Sequence, residues 1–426
     1  MSSAVRATFV VRRALVATCD GATQSPALLP DHAVAIEGAR VRWVGPDADV
    51  ATTVDLSAAE SRDAAGRLLS PGLVDSHTHL VFGDDGTRAE EFAALATGAS
   101  YAGIARAGGG IRATMRATRA ASDEQLLRQA TARARRLLSW GVTTLEVKSG
   151  YGESVEEELR LLRVGRELGR TLHDEVDVVA TVLPLHALPS GHDRAHWLQE
   201  VTGVLLPAVA RERLAEGCDA FVAATAFGVE EARRVLLVAR DLGLVPRLHA
   251  DQLADDRAAA LAADVGASSA DHLEHVSPEG IQALARGGVV AGLLPASTLL
   301  LGGHTFAPGR ALVDAGVAVS LATNANPGSS MSENVGLSLS LACLRNGLTP
   351  GEALWAATRG GARVLRREGA GRIAVGSAAD LVLWGARSPA HLCWHAAVNH
   401  VLAVLKNGKV VHRAGPPSAA DCDGGG

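Results

Sequence analysis

Between residues 70 and 369 one pattern of apolar and polar positions recurs. A helical stretch ends in Gly, an apolar strand follows, and a polar cluster closes the strand. The instances are LLSWGVTTLEVKSGYG, ARDLGLVPRLHADQL, AADVGASSADHLEHV, ALARGGVVAGLLPAS and LVDAGVAVSLATNANPGSS. The glycines Gly243, Gly266, Gly288 and Gly316 return at the spacing of a strand–helix unit. Ser122 with Gln125, and Ser154 with Glu157, have the spacing of helix-start capping boxes. Repeated units of this kind predict an α/β fold, a (β/α)8 barrel, whose active site lies at the C-terminal ends of its strands. Those ends are where this chain puts its polar clusters.

The two chain ends follow a different period. HAVAIEGARVRWVG alternates apolar and polar residues about a Glu-Gly turn, and ADLVLW is followed by VLAVLKNGKVVHR, with Asn407-Gly408 as a hairpin signal. They predict a small β-sandwich domain built from both termini, residues 1–69 and 370–414. The tail, residues 415–426, reads as disordered.

Composition narrows the function classes. The 426 residues are 47% hydrophobic, enough for a large barrel with an accessory domain. The net charge of -5 argues against nucleic acid as the partner. Acids and arginines alternate along SVEEELRLLRVGRELG, which reads as a solvated helix face. The five cysteines form no C-x-x-C pair, so neither a disulfide framework nor a thiolate zinc knot is expected. No apolar run approaches a membrane span, and the N-terminal segment reads as strand rather than leader. A reduced cytoplasmic protein is the expectation.

His77 and His79, in GLVDSHTHLVFG, lie at i and i+2 on the first predicted barrel strand. Both point to one side and can share a metal ion. Surface strands also produce such pairs by chance. His249 and His272 each end a further strand; alone, each reads as a packed histidine, but together the four converge on one axis. Zn²⁺ and Fe²⁺ both suit imidazoles with an oxygen donor. Lys148 is either a charge behind the ligands or a modified lysine bridging two metals. Tyr151 and His186 suit either a barrel rim or substrate contact. Arg88 suits a substrate carboxylate, or equally a surface ion pair with Glu90 or Glu91. ARAGGGIRATMRATRAAS lacks the Gly-Lys-Ser/Thr of a phosphate loop and reads as a flexible active-site loop.

Taken in order, PGLVDSHTHLVFG, the AGGGI segment, EVKSGYG, LHADQL, SADHLEH and NPGSS resemble the imidazolonepropionase family of the amidohydrolase superfamily, which acts in histidine degradation. The likeness runs through most of the chain. It implies one Zn²⁺ or iron ion per chain held by His77, His79, His249 and residue 324. It implies substrate contacts from Arg88, Tyr151, His186, Gln252, Asn326, Gly328 and Ser329, with His272 assisting the water or the oxyanion. The implied reaction is hydrolysis of 4-imidazolone-5-propanoate to N-formimidoyl-L-glutamate by metal-bound water. A homodimer is implied as well.

Two residues depart from that family's pattern. Asn324 stands where the family usually has Asp, and Gln252 where some members have Glu. A carboxamide keeps an oxygen donor but cannot accept the water's proton. That removes a base ordinarily worth about 10²–10⁴ in rate. His272 acting as base is the favoured resolution. The alternatives are another cyclic-amide hydrolase or aminohydrolase, and a slow or non-catalytic homologue.

Overall fold

The computed structural model describes residues 4–99, 103–104 and 107–414; the tail expected to be disordered lies outside them. Eight parallel strands, adjacent in chain order, make the barrel. They are Leu73–Asp75, Val142–Lys148, Asp177–Leu185, Gly217–Phe221, Val245–Ala250, Ser269–His272, Val290–Leu293 and Val319–Leu321. The outward residues form one apolar core with the surrounding helices.

The seam between the first and eighth strands carries no ladder among the described residues. Asp75 closes it instead, accepting from the Thr323 hydroxyl at 2.6 Å and its amide at 3.2 Å. Beyond the strands, His79 N donates to Ala325 O (2.9 Å) and Asn324 N to His77 O (3.0 Å). The closure therefore runs through the segments that carry the predicted ligands.

The two termini share a mixed sheet of eight strands. Leu68–Pro71 pairs antiparallel with Leu381–Trp384, joining the N- and C-terminal contributions just before the first barrel strand. Both expected hairpins are present, Leu28–Glu37 with Arg40–Pro46 and Val401–Lys406 with Lys409–Arg413. Asn407 and Gly408 both have positive φ, as the two-residue turn requires. Buried Lys406 reaches from this sheet to Asp380 (2.7 Å) and to Asp177 at the start of the third barrel strand (2.6 Å).

Ser122 and Gln125 form the full capping box. Ser154 caps its helix by accepting from Glu157 N, but the Glu157 side chain goes to Arg160 instead of back to the cap. Two expectations need correction. The Gly-rich segment expected as a loop is helical over Ile111–Ala120, because Ala113, Thr114, Met115 and Thr118 bury one face. In SVEEEL, Glu158 turns inward rather than to solvent. It accepts from Gly150 N (2.9 Å) and Gly152 N (2.6 Å), so it fixes the loop carrying Tyr151. Burial pushes this carboxyl up to about 7.

Candidate metal centre and active site

The C-terminal ends of strands one, five and six bring four imidazoles into one buried cluster. Ring centroids lie 4.4 Å apart for His77–His249, 5.3 Å for His77–His79, 5.3 Å for His249–His272 and 5.7 Å for His77–His272. A nitrogen from each of His77, His249 and His272 falls within 4.8 Å of the other two. His79 lies outside that trio and stacks on His186, ring centroids 5.2 Å apart.

A carboxylate lies behind three of the four rings. His77 Nδ1 hydrogen-bonds Asp271 Oδ2 at 2.7 Å. His249 Nδ1 lies 3.1 Å from Asp219 Oδ2, and His272 Nδ1 lies 3.6 Å from Glu274 Oε1, both outside good hydrogen-bond geometry. Such backing carboxylates fix tautomer and ring direction and raise the basicity of metal-ligating histidines. Gly292, on the seventh strand, makes room for one of them, since a Cβ there would meet Asp271 Oδ1 at 2.1 Å.

Below the histidines the barrel interior holds a compensated charge network. Lys148 Nζ sits 2.7 Å from Glu146 and 2.8 Å from Asp219, fully buried. Arg247 pairs with the other oxygen of Glu146 and donates to Thr181 Oγ1 at 2.5 Å. Burial works against the Lys148 ammonium, but Asp219, Glu146 and Asp271 outweigh it and raise its pKa. Lys148 is thus an ammonium paired with two acids. Burial alone would raise Asp219, yet Lys148 and His249 hold it well below the usual carboxylate range. Asp271 is pushed up to about 7 by burial, with Lys148 opposing.

These residues fit a cation. Burial, then the charge of Lys148, drives His77 far down; burial, then His186, does the same to His79; burial lowers His249 despite Asp219. All three are neutral, the ligand-competent form, at pH 7. His77 Nε2 and His249 Nε2 face each other at 3.1 Å. His77 Nδ1 bonds Asp271, which leaves its Nε2 a lone pair; a His249 ring protonated on Nδ1, the side of Asp219, presents a second, and the two repel unless a cation shares them. Two nitrogens on one tetrahedral zinc are separated by a similar distance, roughly 3.3 Å. His79 Nδ1 and Asn324 Oδ1 are buried without a hydrogen-bond partner, two further donor atoms left over.

Asn324 follows the eighth strand in the left-handed region, φ 53°. Its Nδ2 donates to Ser297 Oγ (3.1 Å) and Ser329 Oγ (3.4 Å), so the amide is oriented and its oxygen is free. Asn326 spends its side chain on the loop: Oδ1 accepts from Gly328 N and Ser329 N, both at 2.8 Å, while Nδ2 donates to Asn324 O at 2.6 Å and Ser329 Oγ at 2.9 Å. Of its two sequence readings, Arg88 shows the ion pair. It pairs with Glu91, and its Nε donates to Pro327 O (3.2 Å), with Nη2 beside Gly328. Tyr151 is buried against His186 (5.3 Å) and His79 (6.1 Å). His186 Nδ1 donates to Gly150 O (3.1 Å), and burial pushes its pKa down to about 4. Gln252 is half-buried on the loop after the fifth strand, where Asp251 caps the next helix by accepting from Asp256, Ala258 and Ala259 amides.

His272 and Leu273 both have positive φ, 83° and 67°. Strained backbone of this kind is kept where the surroundings over-determine it, often at functional sites. Glu274, held by Thr298 Oγ1 at 2.7 Å, stays ionised, since His272 and Thr298 overcome the effect of its burial. The sequence reading missed Asp219, Asp271, Glu274, Glu146 and Arg247. Asp271 and Glu274 flank His272 in SADHLEH; the others are charges inside largely apolar strands, a signal that points inward only once the strand's face is known.

A parallel barrel fed from a two-ended sheet, with histidines on its first, fifth and sixth strands, defines a class, and the comparisons agree with it. The amidohydrolase family model matches residues 68–411, and the chain belongs to that family. It resembles in fold the 5-methylcytosine deaminase of Klebsiella pneumoniae liganded with phosphonocytosine (TM-score 0.74, 16% identity, 95% of this chain and 98% of that one). It likewise resembles the adenosine deaminase of Xanthomonas campestris with bound zinc (0.69, 20%, 96% and 93%). Within the family the chain belongs with the imidazolonepropionases. It is 58% identical to that of Anaeromyxobacter dehalogenans strain 2CP-1 over 418 residues, 98% of this chain and 99% of the relative. It is 49% identical to that of Myxococcus xanthus over 386 residues, 90% and 91%.

Proposed function

We propose that the chain hydrolyses the ring amide C–N bond of 4-imidazolone-5-propanoate, giving N-formimidoyl-L-glutamate in histidine degradation. The observation that carries the reading is the cluster of four imidazoles, three with a carboxylate behind them, at the barrel mouth of a chain 58% identical to imidazolonepropionases. His77, His79, His249 and the Asn324 oxygen would hold one zinc or iron ion, which when bound polarises a carbonyl and acidifies water.

The chain's own residues supply the rest. Arg88, with Nη2 beside Gly328, binds the propanoate carboxylate, and Ser329 keeps a hydroxyl proton to donate beside it. Tyr151 and His186 wall the ring, and Gln252 closes the fifth-strand side. His272 takes the proton of the attacking water as the C–O bond forms, and Glu274 stabilises the resulting imidazolium. His272 then returns the proton to the departing ring nitrogen, and the ring carbonyl becomes the α-carboxylate of the product. A cytoplasmic site suits the four described cysteines, all free thiols.

The carboxamide at 324 favours a second reading, a homologue that binds substrate but turns it over slowly or not at all. Metal-analysed protein mixed with freshly made 4-imidazolone-5-propanoate separates the two. Loss of ring absorbance with appearance of the formimidoyl product by mass spectrometry supports hydrolysis. Saturable binding with no product, at one ion per chain, supports the second.

A further inference from the structure

A second group of imidazoles lies far from the barrel mouth in the chain. His391 and His395 are one helical turn apart at the helix Pro389–Trp394, and His400 stands just before the strand Val401–Lys406. One nitrogen of each lies within 4.8 Å of the other two. Ring centroids are 4.9 Å apart for His391–His400, 5.0 Å for His395–His400 and 6.2 Å for His391–His395. We infer that His391, His395 and His400 form a second metal site, selective for a divalent transition-metal cation.

Three observations support it. His391 lies on the helix and His395 is the residue that ends it, four positions on, so both rings stand at its last turn. His400 Nε2 is buried without a hydrogen-bond partner, a nitrogen the fold leaves free. The intervening turn is pre-set: Ala397 is held at φ 61°, Asn399 Nδ2 donates to Ser139 O at 2.8 Å, and Asn399 Oδ1 accepts from Val401 N at 2.9 Å. Most of the ordering cost of a chelating turn is therefore met before the ion arrives. His395 is exposed, so rotating its ring can tighten the nitrogens to the roughly 3.3 Å spacing of a tetrahedral ion, with solvent in the open position. The ligand atoms are imidazole nitrogens with no carboxylate among them, which suits Zn²⁺, Ni²⁺ or Cu²⁺ and not Mg²⁺ or Ca²⁺. An ion here would clamp the helix to the entry of the terminal sheet, beside Leu73 of the first barrel strand, which lines the same crevice as His400.

Trp394, 78% exposed and 5.5 Å from His395, is a built-in reporter. The test takes protein with its barrel ion already loaded and titrates Zn²⁺, then Ni²⁺, following bound metal after desalting and Trp394 fluorescence. The expected result is a second equivalent that saturates, quenches Trp394 with Ni²⁺ and raises Tm. His395→Ala, an exposed change, should weaken that equivalent at least tenfold while leaving the first equivalent and the turnover rate intact; His391→Ala with His400→Ala should abolish it. Mg²⁺ should give none of these signals. Failure of the wild-type protein to take a second equivalent, or its retention unchanged in the His395→Ala and double variants, would overturn the site.

Discussion

Replacing His272 tests the chemistry at its weakest joint, the missing carboxylate at 324. The variant of choice is His272→Asn. Position 272 has φ 83°, which Asn tolerates better than Ala, so the change removes the base with less added backbone strain. Glu274 remains held by Thr298. If His272 carries the proton, losing it costs about 10²–10⁴ in kcat, or about 3–5 kcal/mol of barrier. The His272 nitrogen also lies within 4.8 Å of those of His77 and His249, so bound metal must be measured in the same sample. Full metal with a hundredfold or greater fall in kcat is the expected pattern. Adding Asn324→Asp should then recover tenfold or more, because Asp accepts the same left-handed backbone and the Ser297 and Ser329 hydroxyls can turn to donate to it. In the wild-type background Asn324→Asp should change kcat by less than tenfold, and that non-additivity is the signature of two groups sharing one task. His272→Asn with full metal and unchanged kcat refutes the reasoning.

Other consequences follow from the same geometry. Asp271→Asn replaces the carboxylate behind His77 with a neutral amide and should weaken metal affinity 10–100-fold in a chelator competition; Gly292→Ala should do likewise by pushing Asp271 aside. Lys148→Met leaves Glu146 and Asp219 short of a cation and should cost about 3–5 kcal/mol in urea unfolding. His186, depressed to about 4 in the fold, stays neutral there while the unfolded chain takes up a proton below its ordinary value near 6.5. The unfolded state then binds more protons, so stability falls as pH drops. Between pH 6.5 and 5 the loss is about 1–2 kcal/mol, allowing for partial solvent contact, and His186→Gln should flatten that slope.

The sequence exposed the barrel because each unit ends its helix in Gly and its strand in polar residues, a local signal. It exposed His77, His79, His249 and His272 for the same reason. The carboxylates behind them were hidden by register. Asp271 sits beside His249, and Asp219 beside Arg247, only once parallel strands are aligned. Glu158 was hidden differently: in a run of three glutamates only the fold decides which one turns inward. The Asn326 amide shows the reverse case, where a family-implied substrate contact has its hydrogen bonds consumed by the loop it stands on.

The central claim is that the imidazoles of the first and fifth barrel strands share one cation. Anomalous diffraction at the zinc and iron edges, from crystals of protein purified without chelator and active on 4-imidazolone-5-propanoate, tests it most directly. The account expects a strong peak among His77, His79 and His249 beside the Asn324 oxygen. Active crystals with no anomalous density at that position would contradict it.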